Sequence, residues 1–297
     1  MDETECVALV ALLGESAVTD PARSRADCSA IASQLVRSGS AHALWNERHP
    51  LALDGMGESD AALMRARHRL ATWRAEGVDL LTVLDQRYPL HLRRIQQVPP
   101  VLFVKGDLRS DAPGVSVVGS RAASITGQQK AADIARGLAE RGIGVISGLA
   151  LGIDTAAHEA TLAAGGRPIG VLGTGVNQVY PAQSRGLHDR VATAGALVSQ
   201  FLPDAPPDRH TFRMRSATLS GLAVASVIVE AGERSGSRIL ARLSVEQSRP
   251  LILSDAVVSS TRWGAELSHR SEVYTASTAV EVLDIVDAVV SDVDIGA

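Results

Sequence analysis

From Pro113-Gly114 onward the chain repeats one unit: a short apolar run, a polar loop and a helix-like stretch. Strand-like Val115–Val118 precedes helix-like Gln128–Arg141, strand-like Ile143–Ile146 precedes helix-like Asp154–Ala164, and strand-like Pro168–Leu172 precedes helix-like Ser184–Ala194. Strand-like Ala196–Ser199 and Ala225–Val229 come next, then helix-like Ser237–Gln247 and further strands at Leu251–Leu253 and Val273–Tyr274. Apolar runs of this kind are strands covered on both faces, and helices between them make βαβ units in a parallel sheet. Each crossover should be right-handed. The expected fold is therefore α/β, a doubly wound, mostly parallel sheet.

The stretch before this pattern has a different texture. Residues 1–76 carry helical spacing without strand signals: Val7, Val10 and Leu13; Ile31 and Leu35; and Leu63, Leu70 and Trp73 on a helix that begins near Ser59-Asp60 and stops at Gly77. Gly39, Pro50, Gly55 and Gly57 punctuate this region into short helices. Two apolar runs follow, Val78–Leu84 and Val101–Val104. The expected organisation is a small helical domain over 1–76, the sheet domain over 77–279, and an acidic C-terminal helix and tail over 280–297.

A chain of 297 residues has room for one large α/β domain and a small one. With 45% hydrophobic residues it is not a disordered chain. No run of about 18 apolar residues is present, and Met1-Asp2-Glu3 is acidic, so neither a membrane span nor a secretory signal is expected. Cys6 and Cys28 lack metal-ligand spacing, which fits a reduced, cytoplasmic protein. The net charge of −4 excludes a uniformly basic coat for nucleic acid. Its distribution is uneven, however. Residues 209–249 hold seven Arg against three Glu, whereas residues 250–297 hold two Arg against eight acidic residues. Lys105 and Lys130 are the only lysines among 29 basic residues. A GC-rich genome explains that bias; so does a use for guanidinium forks on phosphate.

In a doubly wound sheet, ligands gather where strands end and helices begin. Four loops occupy such positions: Gly119-Ser120-Arg121; Ser147-Gly148 through Asp154; Gly173-Thr174-Gly175; and Glu230 through Gly236-Ser237-Arg238. Each alone is equally an ordinary glycine-bearing turn, but four in succession favour a shared anion site. Asp154 reads as a helix cap and His158 as a packing residue. Glu230 would order the Arg234–Arg238 loop or meet a sugar hydroxyl. The run Arg209 to Arg215, placing Phe212 among Arg209, Arg213 and Arg215, suits a single strand of nucleic acid if it forms a loop, and is equally a solvated basic loop. Tyr180 is the other stacking candidate. No catalytic, metal-binding or cofactor-binding constellation emerges, so no enzyme, metal or cofactor is expected.

Gly119-Ser120-Arg121, the run from Val145 through Ser147-Gly148-Leu149-Ala150-Leu151-Gly152-Ile153-Asp154 to His158, and Val171-Leu172-Gly173-Thr174-Gly175 occur in this order. Val179-Tyr180-Pro181, Leu197-Val198-Ser199-Gln200, Val229-Glu230-Ala231 and Arg234-Ser235-Gly236-Ser237 follow. Together they resemble the DprA/Smf family of DNA-processing proteins over roughly residues 77–255. The resemblance implies a Rossmann-like sheet and a non-enzymatic protein that binds single-stranded DNA in natural transformation and recombination. It further implies protection of the strand, loading of a RecA-type recombinase, and a homodimer. The family's phosphate pocket would fall on Gly119, Ser120, Arg121, Gly148, Gly173, Gly175 and the helix start at Ser237; Phe212, Arg213, Arg215, Gly236 and Arg238 complete the candidate set. Departures are present at Arg213-Met214-Arg215-Ser216, where the family's asparagine is missing, and at Ser254-Asp255, where it carries Pro-Gly. Ser184 and Ile239-Leu240 also differ, and no C-terminal winged-helix module is expected. They mark a divergent member. The competing reading is a Rossmann-like nucleotide sensor or nucleotide-processing enzyme.

Overall fold

A computed structural model describes residues 2–19, 24–50 and 57–295. Gly55 and the side chain of Cys28 lie outside what is described. Four helices come first: α1 (Glu3–Thr19), α2 (Ser24–Ser38), α3 (Ala41–Arg48) and α4 (Glu58–Ala75). The Ser40 hydroxyl caps α3 by accepting the Ala43 N–H, and Glu5 on α1 accepts the Ala41 N–H and the Ser40 hydroxyl. Positive φ at Gly77 (76°) ends α4 and turns the chain into the first strand.

The sheet region then runs β1 (Val78–Thr82), α5 (Leu90–Arg93), β2 (Val101–Gly106), β3 (Gly114–Val118), α6 (Ile125–Glu140), β4 (Gly144–Ser147), α7 (Ile153–Ala163) and β5 (Pro168–Val171). It continues α8 (Arg185–Ala194), β6 (Ala196–Ser199), α9 (Arg209–Leu222), β7 (Ala225–Ile228), α10 (Ser237–Glu246) and β8 (Leu251–Ser254). It closes with α11 (Asp255–Ser260), α12 (Arg262–Leu267), β9 (Val273–Ala276) and α13 (Ala279–Ile295).

Every strand that the alternating pattern predicts is present, in one sheet ordered β1-β2-β6-β5-β4-β3-β7-β8-β9. All neighbours pair parallel except β1–β2 and β2–β6 at one edge. From β3 the chain steps outward to β6, then returns along α9 to lay β7 on the other side of β3. Here the strand order reverses. The loops after β3 and β7 therefore part to opposite faces and leave a crevice between them.

Alternate residues of each strand fill different layers. Val115, Val117, Val145 and Val227 pack with Ile134, Leu138, Val282 and Val286 of α6 and α13. Val118, Ile146 and Ile228 pack with Ala217, Leu219, Leu240 and Leu243 of α9 and α10. The N-terminal helices share their core with the sheet region: Leu9, Leu12, Trp45 and Trp73 belong to one cluster with Phe103, Leu149, Leu172, Val176, Leu187 and Leu197. The acidic C-terminal stretch is one helix, α13, whose apolar face lies on α6, with Leu283 over Gly137 and Arg141 paired to Asp287 at 3.1 Å. Among the described residues no helix is long and apolar enough to cross a membrane.

Candidate functional site

The loop after β3 is pinned from two sides. The Ser120 N–H donates to the Glu230 carbonyl at 2.7 Å, and the Ile153 N–H donates to the Ser120 carbonyl at 3.2 Å. Gly119 allows this approach, because a Cβ there would meet the Glu230 carbonyl and Ile153 at 2.6 Å. The Glu230 carboxylate accepts the Ser124 N–H (3.0 Å) and the Ser124 hydroxyl, and Ser124 caps α6. Glu230 thus orders the loop after β3 instead of the Arg234–Arg238 loop that the sequence suggested. It is spent on main-chain geometry.

The basic run is not a loop. Asp208 caps α9 by accepting the His210 N–H at 2.7 Å, and residues 209–222 are helical. The reason is packing: Met214, Ala217, Thr218 and Leu219 are buried against the sheet, leaving the opposite face of the first turns free. Arg209, Phe212 and Arg213, with Phe212 and Arg213 three and four residues after Arg209, form one stripe on that face.

That stripe, the loop after β3 and the start of α10 enclose a cleft of about 990 Å³ at the point where strand order reverses. Arg121, Arg209, Arg213, Arg215 and Arg234 line it, against Asp154 and Asp208. Arg121 is exposed, and its guanidinium carbon stands 5.9 Å from the Phe212 ring centre; that of Arg215 stands 6.0 Å away. Tyr180 leans on Phe212 with ring centres 5.3 Å apart. The cleft thus holds two contacting aromatic rings among cations.

Arg215 is the deepest of the arginines. Its Nη1 donates to the Val171 carbonyl at 3.0 Å, while its Nε has no partner. Burial lowers its affinity for the proton, and the charge of Asp154 opposes that. Asp154 forms no ion pair with it; its carboxylate instead accepts the N–H groups of Gly148 (3.1 Å) and Ala150 (3.3 Å). Burial pushes the Asp154 carboxyl up, with Arg215 and these bonds pulling it down. The expected helix cap is thus a staple for its own loop, because Gly152 occupies the N-cap position of α7. His158 is fully buried in the helix-packing place expected for it, with its pKa lowered to about 4 by burial.

Of the residues singled out from the sequence, Gly119, Ser120, Arg121, Phe212, Arg213, Arg215, Gly236 and Ser237 meet in the cleft. Gly148, Gly173, Gly175 and Arg238 do not line it. Gly148 lies under the Arg215 guanidinium, where a Cβ would come within 1.7 Å of Nη1. Gly173 lies under Phe212, and Gly175 faces the Leu202 and Pro203 carbonyls while its N–H donates to Ala205 at 2.9 Å. Arg238 lines a neighbouring groove. Arg209, Arg234 and Asp208 belong to the cleft but not to the candidate set. The signal for Arg209 was Asp208 followed by Arg209, Phe212 and Arg213 at helical spacing. Among the described residues no group of three or more His, Cys, Asp or Glu is placed to hold a metal ion.

A profile of the family described as DNA recombination-mediator protein A matches residues 79–289. DNA processing protein DprA of Bacillus subtilis is 35% identical over 182 residues, which are 61% of this chain and 61% of that protein. Across the curated relatives the matched share of the relative's own length runs from 44% to 61%. The X-ray structure of DNA processing protein A from Streptococcus pneumoniae is similar at a TM-score of 0.70 and 26% identity, covering 96% of this chain and 98% of that one. DNA processing protein A from Helicobacter pylori shares the fold at a TM-score of 0.63 and 22% identity, over 70% of this chain and 95% of that one.

Proposed function

This chain belongs to the DNA recombination-mediator protein A (DprA/Smf) family, and from that premise we propose that its cleft holds single-stranded DNA. One observation carries the reading: Arg121, Arg213 and Arg215, drawn from distant parts of the sequence, converge on one crevice around Phe212. Arg209 and Arg234 extend the same surface, and of the two acidic residues, Asp154 is buried and Asp208 is committed to capping α9. A single strand needs guanidinium groups for its phosphates and a ring for an unpaired base. The Phe212–Tyr180 pair supplies the ring. The N-terminus of α10 at Ser237 adds the positive end of a helix dipole. Binding by these groups needs no reacting side chain, so the protein acts by holding DNA, without catalysis.

The H. pylori relative is described as having a single-stranded DNA binding mode, which supports the same ligand here. Protection of incoming DNA, delivery to a RecA-type recombinase and action as a homodimer follow from family membership and are part of this proposal. The test is fluorescence anisotropy of a labelled oligonucleotide against salt. For single strands, log affinity falls against log salt with a slope of about −0.7 per phosphate neutralised, so five engaged arginines give about −3.5. Mononucleotides should not compete. No detectable binding by folded protein at low salt, or stabilisation by a mononucleotide that oligonucleotides do not share, overturns the reading.

A further inference from the structure

Beside the cleft lies a second groove of about 600 Å³, and the two share Arg213 and Ile239. Its floor is apolar, with Val98, Met214, Leu243 and Trp263, and its rim carries Arg213, Arg238 and Arg242 against Glu266. Arg238 and Arg242 are exposed and lie one turn apart on α10, about 6 Å along the axis. The run of cations starts beside Ser237, which lines the cleft, and leads away from it. Arg238 has no ion pair among the described residues, and Arg242 pairs with exposed Glu246 at 3.1 Å.

We propose that this groove is a second subsite for the same strand, taking the nucleotides that leave the cleft past Arg213. The inference rests on the single-stranded DNA reading above. Continuity of the two cavities and the excess of arginine over acid select a polyanion as occupant. Arg238 and Arg242 hold successive stretches of backbone, while sugars and bases rest on the half-buried Val98, Ile239 and Leu267. Trp263 is only 3% exposed, so no ring is offered for stacking. The contact is with backbone and apolar surface, and therefore indifferent to sequence.

The experiment compares a short oligothymidylate that fills the cleft alone with one several times longer, in the full chain. The Arg238→Ala/Arg242→Ala variant should bind the short strand as the parent does. It should bind the long one more weakly, with a salt slope shallower by about 1.4, the share of two phosphate contacts. Arg238→Glu, which leaves the Arg242–Glu246 pair in place, should act in the same direction. Unchanged affinity and slope for the long strand overturn the subsite and leave the cleft reading standing. Equal weakening for both lengths also overturns it, by assigning these arginines to the cleft. A parent protein that binds neither length overturns both.

Discussion

Gly173 offers a way to move Phe212 without touching it. A Cβ on residue 173 would stand 2.5 Å from Cδ1, 2.7 Å from Cε1 and 2.9 Å from Cγ of the ring. Ordinary contact begins near 3.4 Å, so Gly173→Ala pushes the ring by about 1 Å, away from its place beside Arg121, Arg215 and Tyr180. Overpacking of this kind destabilises by about 1–3 kcal/mol, measured by urea unfolding. A stacked base contributes about 1–3 kcal/mol, so its loss weakens single-strand binding about 5- to 140-fold. Phe212→Ala should weaken binding by the same route. The decisive protein is the double variant, compared with the single ones by anisotropy at fixed salt. If Gly173 acts only through the ring, adding Gly173→Ala to Phe212→Ala changes affinity no further, and the cycle returns a coupling energy about as large as the single effect. Equal effects of Gly173→Ala with and without the ring refute this reasoning and place the glycine backbone on the strand itself.

Arg121→Ala should lower affinity and flatten the salt slope by about 0.7 while leaving stability within about 0.5 kcal/mol, since the side chain is exposed and outside the core; a lost fold or an unchanged slope counts against its role. His158 has its pKa lowered from 6.5 to about 4, so the fold holds it neutral; this contribution to stability is complete above pH 6.5 and is lost as pH falls toward 4. Urea unfolding from pH 7 to 4 should therefore show parent protein losing about 3 kcal/mol more than His158→Leu, and a constant difference contradicts it. The Asn177 amide donates to Glu76 (2.7 Å) and Asp204 (2.9 Å), and Asp204 also accepts the Trp73 indole N–H (3.0 Å). Asn177→Ala should cost about 1 kcal/mol of stability and weaken DNA binding several-fold, because the loop at Asp204 leads into α9; full affinity would separate that loop from the cleft.

The sheet was legible because its strands are buried on both faces and therefore appear as uninterrupted apolar runs. The N-terminus of α9 was not. Its buried side mixes Met214, Leu219 and Leu222 with small and hydroxylated residues, Ser216, Ala217, Thr218 and Ser220, which dilute the hydrophobic stripe that would announce the helical period. Ser220 instead joins a chain of hydroxyls through Ser244 to Ser226, with oxygens 3.0 and 3.1 Å apart, a contact that hydropathy does not register. The loop glycines show the complementary limit. The loop signature assigns Gly119, Gly173 and Gly175 alike to the cleft, because all three sit in the same kind of loop. A missing Cβ signals close approach, but not of what: at Gly173 it is an aromatic ring, at Gly175 two carbonyls. Convergence of Arg121 with Arg213 and Arg215 depends on the reversal of strand order, which no local pattern encodes.

The core shared between the N-terminal helices and the sheet separates two things that sequence comparison merges. The stretch matched by the family profile begins at residue 79, after α4 has ended. Cut there, the chain would lose Trp73 from its edge-on packing against Phe103, with ring centres 5.4 Å apart, and Leu9, Leu12 and Trp45 from the same cluster. Apolar surface around Phe103 would then be left wet on the flank of the sheet, a liability for self-association. The helical layer is thus the lid of a hydrophobic box whose other walls belong to the matched region. The shortest recognisable stretch and the shortest self-sufficient one are different lengths of the same chain.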